Sequence, residues 1–252
     1  MAIARSELVD YLNKQLNVSA IRDFCPNGLQ VEGADTIQRV ITGVTASQAL
    51  LDKAAEKGVD TVLVHHGYFW KNEPANIVGM KQRRIKTLLQ NNINLLAYHL
   101  PLDVHPIWGN NAQLANLMGW RIQGPADSND AGCALVIGDC DETNSDDLAA
   151  QLEHKLERPL TCYVSANRAI KKLSWCTGGG QGFIDQAAAL GVDAFITGEV
   201  SEQTVHSARE QGMAFYAAGH HATERYGAKA LGEHLQQQFQ LDVEFIDIDN
   251  PA

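Results

Sequence analysis

Histidines stand where several predicted strands end. Apolar runs at residues 62–64, 95–98 and 215–218 predict buried strands, and each run leads into histidine. In open α/β sheets, ligands bind in the crevice outside the carboxyl ends of the strands. This placement indicates a site, although a single histidine is more often structural than a ligand. The histidines concerned are His65, His66, His99, His220 and His221.

Acidic residues follow two of these histidines at the same distance. Asp103 comes four residues after His99, and Glu224 comes four residues after His220. If a helix begins near His220, then His220 and Glu224 share one face of it. Asp103 is predicted to lie in a loop, because prolines before and after it disfavour a helix.

The adjacent pair His65 and His66 predicts two metal ions rather than one. Successive strand residues point to opposite faces, so the two rings address different ions more naturally than they chelate one. Imidazoles and carboxylates together suit zinc, manganese, iron or nickel. Two such ions carry four positive charges, so bridging ligands are expected, at a metal separation of about 3.5–4 Å. Spacing alone leaves open whether these residues bind metal at all.

An internal repeat organises the elements around these residues. Residues 37–67 align without a gap with residues 170–200. Each copy reads as a strand, an amphipathic helix that ends near Gly58 or Gly191, and a second apolar strand. Such a β-α-β unit places its two strands parallel, with a right-handed crossover. The identical pairs include Gln48 and Gln181, Asp52 and Asp185, Ala54 and Ala187, Gly58 and Gly191, and Asp60 and Asp193.

The repeat predicts an α/β protein with two related halves built on duplicated β-α-β units. The halves are predicted at residues 1–125 and 126–252, because the stretch 123–130 is polar and rich in turn formers. The alternative is that any two β-α-β units resemble each other without a duplication. Helices are predicted at 110–118 and 222–239 after the third strand of each half.

Composition restricts the class of protein further. A net charge of −10 opposes non-specific binding to nucleic-acid backbones and anionic membranes, so tight duplex binding is not expected. The five cysteines form no CxxC pair, which disfavours a cysteine zinc site. The N-terminus lacks the apolar segment of a signal peptide, and no apolar run reaches the ~18 residues of a membrane span. These features predict a cytoplasmic protein that is not bound to a membrane.

Several motifs in combination resemble the Nif-three-like family, whose members are also called GTP cyclohydrolase 1 type 2 homologues. The resemblance covers essentially the whole chain, and no single motif would carry it. The motifs are PNGLQVEG at 26–33, GVTA at 43–46, VHHG at 64–67, HLPLD at 99–103, TGE at 197–199 and GHHATE at 219–224.

This resemblance implies a layered αβα fold with a dinuclear metal site between the two halves. It also implies a toroidal homohexamer whose sites face a central cavity. His221 stands where many relatives have tyrosine, so it is not counted as a ligand. The implied ligands are His66 and Asp103 for one ion, His65 and His220 for the other, and Glu224 as the bridge.

Other polar residues are candidates for contact with the ligands or with substrate. Glu202 and His206 are four apart on a predicted helix and can lie on one face, although His206 reads equally well as a solvated residue. Carboxylates commonly orient metal-binding imidazoles. The candidates are His99, Glu199, Glu202 and His206. His105, His154 and His234 are interpreted as surface or structural residues.

Three functions are compatible with these features. The first is a metal-dependent hydrolase of a small molecule, such as a nucleotide or damaged nucleotide; the glycine run 178–182 could approach a phosphate there. The second is a metal-binding regulatory or interaction protein without turnover. The third is a nucleic-acid-processing enzyme, which the acidic charge disfavours. Five protein ligands for two ions leave coordination positions vacant, which favours the hydrolase.

Overall fold

A computed structural model describes residues 2–252 of the chain. Helices and strands alternate along most of this range. The helices are α1 (Arg5–Gln15), α2 (Gln48–Lys57), α3 (Gly79–Gln90), α4 (Leu100–Val104), α5 (Asn110–Met118), α6 (Ser145–Leu156), α7 (Ile184–Ala189), α8 (Glu202–Glu210) and α9 (His220–Phe239). The strands are β1 (Ile3–Ala4), β2 (Gly28–Val31), β3 (Thr36–Ile37), β4 (Arg39–Thr45), β5 (Thr61–His66), β6 (Asn94–Ala97), β7 (Arg121–Pro125), β8 (Val136–Thr143), β9 (Cys162–Val164), β10 (Ile170–Cys176), β11 (Ala194–Thr197), β12 (Ala214–Ala217) and β13 (Asp242–Phe245).

The chain divides into two compact units that differ from the predicted halves. The first unit comprises residues 2–102 and 227–249, and the second comprises 103–226 and 250–252. The predicted halves were bounded at residue 125 instead. Residues 103–125 belong with the second unit because β7 pairs with β8. The segment 227–249 belongs with the first because β13 pairs with β4.

The first unit has a five-stranded sheet with the order β13-β4-β5-β6-β2 and a two-stranded sheet of β1 and β3. Strands β13, β4, β5 and β6 run parallel, and β2 is antiparallel at the edge beside β6. Helix α2 begins at the cap Ser47, whose side chain accepts a hydrogen bond from the backbone N–H of Leu50. It ends at Gly58 in the left-handed region. Its apolar face, including Leu50 and Leu51, is fully buried in the first unit's core.

The sheet of the second unit has the order β7-β8-β10-β11-β12-β9. Strands β10, β11 and β12 run parallel. Strand β8 is antiparallel to β10, and β9 is antiparallel to β12. The core of this unit includes the fully buried side chains of Trp175, Phe195 and Tyr216.

The two units share the predicted β-α-β repeat. In the first unit β4, α2 and β5 form it, with β6 as a third parallel strand. In the second unit β10, α7 and β11 form it, with β12 as the third strand. The prediction of an α/β fold with two related halves is confirmed. The second helix is shorter because a 3-10 turn at Gln181–Phe183 precedes it.

One local prediction at the candidate site was wrong. Asp103 lies in the short helix α4 and not in a loop. The proline that argued against a helix, Pro101, is the second residue of α4. A proline is tolerated in the first turn, where the missing N–H would have no partner within the helix. Helix α9 begins at His220, two residues before the predicted start at residue 222, and ends at Phe239 as predicted.

Candidate metal centre

Three histidines of the first unit form a cluster at the ends of neighbouring strands. His65 and His66 end β5, and His99 follows β6, which pairs with β5 in parallel. The parallel register brings the two strand ends to the same edge of the sheet. One ring nitrogen from each of His65, His66 and His99 lies within 4.8 Å of the others. This cluster could hold a metal ion.

The Nδ1 atom of each of these three rings lies at hydrogen-bond distance from an oxygen atom. His65 is fully buried, and its Nδ1 donates to the carbonyl oxygen of Tyr98 at 3.0 Å. Nδ1 of His66 lies 3.2 Å from the hydroxyl oxygen of Thr45. A carbonyl that accepts from Nδ1–H fixes the tautomer, so the lone pair of His65 is on Nε2, the usual form of a metal-binding imidazole.

Asp23 is a residue of this region that sequence reasoning missed. Its carboxylate accepts from Nδ1 of His99 at 2.7 Å and from the backbone N–H of Leu100 at 2.9 Å. It also accepts from the side chain of Asn27 at 2.8 Å, and the Asn27 amide oxygen accepts from the N–H of His99 at 2.7 Å. Asp23 and Asn27 therefore fix both the backbone and the ring of His99. The only local signal was the turn at Asn27, which gives no distance to His99.

Two carboxylates of the second unit lie together and are buried. Asp103 and Glu224 are 5% and 3% exposed, and one oxygen of each lies within 4.8 Å of the other. Asp103 accepts from the side chains of Asn110 at 2.8 Å and Thr177 at 3.4 Å. Like charges held this close repel when they are shielded from water, so the pair is a place where a cation is favoured.

His220 lies between two carboxylates of the same unit. Its Nδ1 is 2.7 Å from Oε1 of Glu199, and its Nε2 is 3.2 Å from Oε2 of Glu224. Burial lowers the pKa of His220, but the hydrogen bonds and charges of Glu224 and Glu199 outweigh burial and raise it to about 9. Without metal, the ring of His220 therefore carries a proton on both nitrogens. The proton on Nε2, next to Glu224, lies where a cation could bind.

Two glycines of the run 178–182 use their backbone N–H groups inside the second unit. Gly178 has φ +66°, and a Cβ there would lie 1.9 Å from Oε1 of Glu224. The backbone N–H of Gly178 donates to Thr223, and that of Gly180 donates to Thr197. These two N–H groups are used inside the unit, which removes the suggested contact with a phosphate at those positions.

The remaining predicted residues lie in varied surroundings. Glu202 and His206 are on α8, as predicted, and both are exposed. His154 is exposed on α6. His105 stacks on Trp108, with ring centroids 4.4 Å apart. Nε2 of His234 lies 2.6 Å from the Tyr11 hydroxyl.

None of the helices in the described part of the chain combines the length and the apolar character that crossing a membrane requires.

Comparison with known proteins gives matches over the whole chain. A family model described as Duf34/NIF3 (NGG1p interacting factor 3) matches residues 3–251. A GTP cyclohydrolase 1 type 2 homolog from Yersinia pestis is 59% identical over 248 residues, which are 98% of each chain. Its counterpart from Pseudomonas aeruginosa is 56% identical over 254 residues, with both chains fully covered. A solved structure of protein ybgI, described as of unknown function, is similar with a TM-score of 0.95 and 54% identity, over 99% of this chain and 100% of that one.

Proposed function

The chain belongs to the Duf34/NIF3 family, and from that premise we propose that it is a hydrolase that uses two divalent metal ions. Zinc, iron, manganese and nickel all suit a set of imidazole and carboxylate ligands. The proposed ligands are His65, His66, Asp103, His220 and Glu224, with Glu224 as the bridge between the ions.

The buried carboxylate pair is the observation that carries this proposal. Asp103 and Glu224 come from α4 and α9, and their oxygens lie within 4.8 Å of each other. Hydrogen bonds from Asn110 and Thr177 satisfy part of Asp103 but bring no positive charge. Burying two like charges is costly unless a cation accompanies them. A divalent ion would supply that charge and would replace the proton on Nε2 of His220.

The histidines of the first unit supply the complementary neutral ligands. With Nδ1 of His65 bound to a carbonyl, the ring offers Nε2 to a metal. We propose that His65 and His66 serve the same two ions as the carboxylates of the second unit. Two carboxylates, with Glu224 as the bridge, and three imidazoles would not fill the coordination of two ions, so positions would remain for water and substrate.

Bound divalent ions supply the chemistry of hydrolysis by making water acidic enough to ionise near neutral pH and by polarising the bond to be cleaved. The chain's own residues hold the ligands in place. Glu199 accepts from Nδ1 of His220 and thereby keeps Nε2 directed at Glu224. Asp23 holds His99 beside the histidine pair.

Nucleotides or damaged nucleotides are the proposed substrate class. The curated relatives carry the name GTP cyclohydrolase 1 type 2 homolog, and opening a purine ring is a hydrolysis that a metal pair can perform. The sequence contains no GxxxxGK[ST] phosphate loop. Recognition of such a substrate would therefore depend on its ring and on the metal ions more than on a dedicated phosphate loop.

Metal analysis of purified variants tests this assignment. Wild-type protein should contain two equivalents of metal per chain, whereas Asp103→Asn, Glu224→Gln and His65→Ala should each contain less than one. His154→Ala is the matched control, because His154 is exposed on α6. Full metal content in all three variants would refute the ligand assignment.

A substrate screen with the metal-loaded protein then tests turnover. The panel includes purine nucleotides, oxidised nucleotides and ribose 5-phosphate, with Asp103→Asn as the blank. Turnover that disappears in Asp103→Asn supports the hydrolase. Full metal content without turnover of any nucleotide would favour a regulatory or interaction protein instead.

We also propose that the protein assembles as a toroidal homohexamer, on the basis of the family resemblance. The measurement is light scattering coupled to size-exclusion chromatography. The expected mass is six times the 27.5 kDa of one chain, and a monomer or dimer at micromolar concentration would exclude the hexamer.

A further inference from the structure

The tight turn that follows β5 is held in place by side-chain hydrogen bonds. A Cβ at Gly67 would lie 2.5 Å from Cβ of Ala97 and 2.2 Å from Oε1 of Gln30, so the turn needs a glycine there. Gln30 accepts from the N–H of Tyr68 at 2.7 Å and donates to its carbonyl at 3.1 Å. Tyr68 is buried, and its hydroxyl donates to the carbonyl of Ala46 at 2.7 Å. These contacts anchor the first half of the turn to the first unit's core.

The next residue, Phe69, adopts an unfavourable backbone conformation. Its φ is +65°, in the left-handed region that bulky side chains rarely adopt. The Phe69 ring packs against the core of the first unit, and the Lys81 ammonium lies 5.0 Å from its centroid. Strain of this kind is kept where the surrounding structure holds it, and it concentrates at functional sites. The residue that follows this strained position, Trp70, is only partly buried.

Trp70 lies against the histidine cluster. Its ring centroid is 4.9 Å from that of His99, in an edge-to-face arrangement, and 5.9 Å from that of His66. The backbone N–H of Trp70 donates to Oε2 of Glu73 at 3.0 Å, which fixes the backbone there. Trp70 and Trp108 are partly exposed, whereas Trp120 and Trp175 are buried, and of the two partly exposed rings Trp70 is the one beside the histidine cluster. The chain therefore keeps a large aromatic ring at the proposed metal ligands.

The polar group of this indole is already used. Nε1–H of Trp70 donates to the carbonyl of Gly67 at 3.3 Å. An indole has one donor and no acceptor, so Trp70 has no further conventional hydrogen bond to offer a ligand. What remains available is its apolar and electron-rich ring surface. Such a surface stacks on planar rings, and it does so with little dependence on the identity of the ring.

We infer that Trp70 is a binding residue that stacks on a planar heteroaromatic ring of the substrate. The inference rests on the proposed function, because it places the substrate beside His66. It narrows the substrate class to compounds that carry such a ring, among which nucleotides are one kind. Trp70 contributes binding energy for the ring and does not ligate metal.

Binding measurements on metal-loaded protein test the inference independently of turnover. Isothermal titration calorimetry is performed with GMP, CMP, nicotinamide mononucleotide and ribose 5-phosphate, the last as a probe that lacks the ring. The expected loss of affinity in Trp70→Ala is about 5- to 150-fold for the three nucleotides, as for one stacked base. Trp70→Phe should bind them within about 5-fold of wild type, since a phenyl ring preserves stacking. Ribose 5-phosphate should bind all three proteins equally.

A matched variant and two structural readouts accompany these titrations. Tyr163→Ala removes an exposed ring, which stacks on Tyr216 in the second unit, and it should leave nucleotide affinity unchanged. Metal content and melting temperature of Trp70→Ala and Trp70→Phe should match those of wild type.

Several results would overturn the inference. One is a wild-type protein that binds none of the nucleotides more tightly than ribose 5-phosphate. Another is a Trp70→Ala variant that loses affinity for nucleotides and ribose 5-phosphate alike, or that loses its metal, because Trp70 would then only support the histidines. Failure of the hydrolase proposal would look different. Turnover would be absent, but nucleotides would still bind more tightly than ribose 5-phosphate and would still lose affinity in Trp70→Ala.

Discussion

Asp103 and Glu224 bring carboxylate oxygens within 4.8 Å of each other inside the second unit, where both side chains are almost completely buried. The two residues belong to α4 and α9, helices that are far apart in the chain. Sequence spacing contained no information about this distance. Two carboxylates this close are both ionised only when a positive charge lies beside them, and Nε2 of His220 lies 3.2 Å from Oε2 of Glu224.

Gly178 should be required for the position of Glu224. In Gly178→Ala the new Cβ would meet Oε1 of Glu224, and φ +66° would be unfavourable as well. Left-handed backbone costs about 1–2 kcal/mol for alanine, and the overlap adds about 1–3 kcal/mol. We expect a lower free energy of unfolding together with loss of metal, measured by denaturant titration and metal analysis.

Alanine variants at two other glycines separate the cost of the positive φ from the cost of the overlap with Glu224. Gly191 has φ +67° but open space around it, so Gly191→Ala should lose only the conformational contribution and keep its metal. Gly182 has open space and no positive φ, so Gly182→Ala should change the free energy of unfolding by less than about 0.5 kcal/mol. Equal metal content in Gly178→Ala and Gly191→Ala would contradict the role given to Gly178.

Asp23 should stabilise the first unit through its bonds to the His99 segment. Burial raises the pKa of Asp23, but the hydrogen bond and charge of His99 and the bonds from Asn27 and Phe24 outweigh burial and lower it. In Asp23→Asn an amide replaces one acceptor oxygen and opposes the donors. We expect a loss of about 1–3 kcal/mol in the free energy of unfolding at neutral pH. Asp35→Asn, at an exposed carboxylate, is the control.

The pH dependence of that difference follows from the sign of the shift. Because the pKa of folded Asp23 is lowered, its stabilisation is present above the unfolded pKa of 3.8 and disappears as pH falls through the folded pKa. Wild type and Asp23→Asn should therefore approach each other in stability in acid. A difference that grows below pH 4 would show that the charge of Asp23 is not the cause.

His220 should remain protonated in the metal-free protein at neutral pH. Its pKa of about 9 is raised from 6.5 although burial opposes the shift, because Glu224 and Glu199 favour the charged ring. The stabilisation is fully present below pH 6.5 and disappears as pH rises through about 9. NMR titration of the ring protons measures this pKa. Glu199→Gln should lower it, whereas Glu202→Gln, at an exposed residue of α8, should leave it unchanged.

The sequence predicted the strands and the residues at their ends, because apolar runs and their interruption are local signals. The runs before His65, His99 and His220 are indeed β5, β6 and β12. The helix after β12 was predicted from residue 222, and its actual start at His220 places His220 and Glu224 one turn apart, as their four-residue spacing allowed.

Contacts between distant segments were not predictable in this way. The partners Asp23 and His99 are 76 residues apart, and only the folded sheet brings them together. From the sequence, Gly178 was interpreted as part of a loop that could approach a phosphate. In the structure a glycine is needed there because a Cβ would overlap the carboxylate of Glu224. The strained turn that carries Trp70 also depends on Gln30, a residue of β2.

Anomalous diffraction from crystals of the metal-loaded protein tests the central claim most directly. We expect two peaks about 3.5–4 Å apart, with Glu224 bound to both ions and with His65 and His66 among their ligands. Peaks bound by the residues of one unit alone, or no metal between Asp103 and Glu224, would contradict the account.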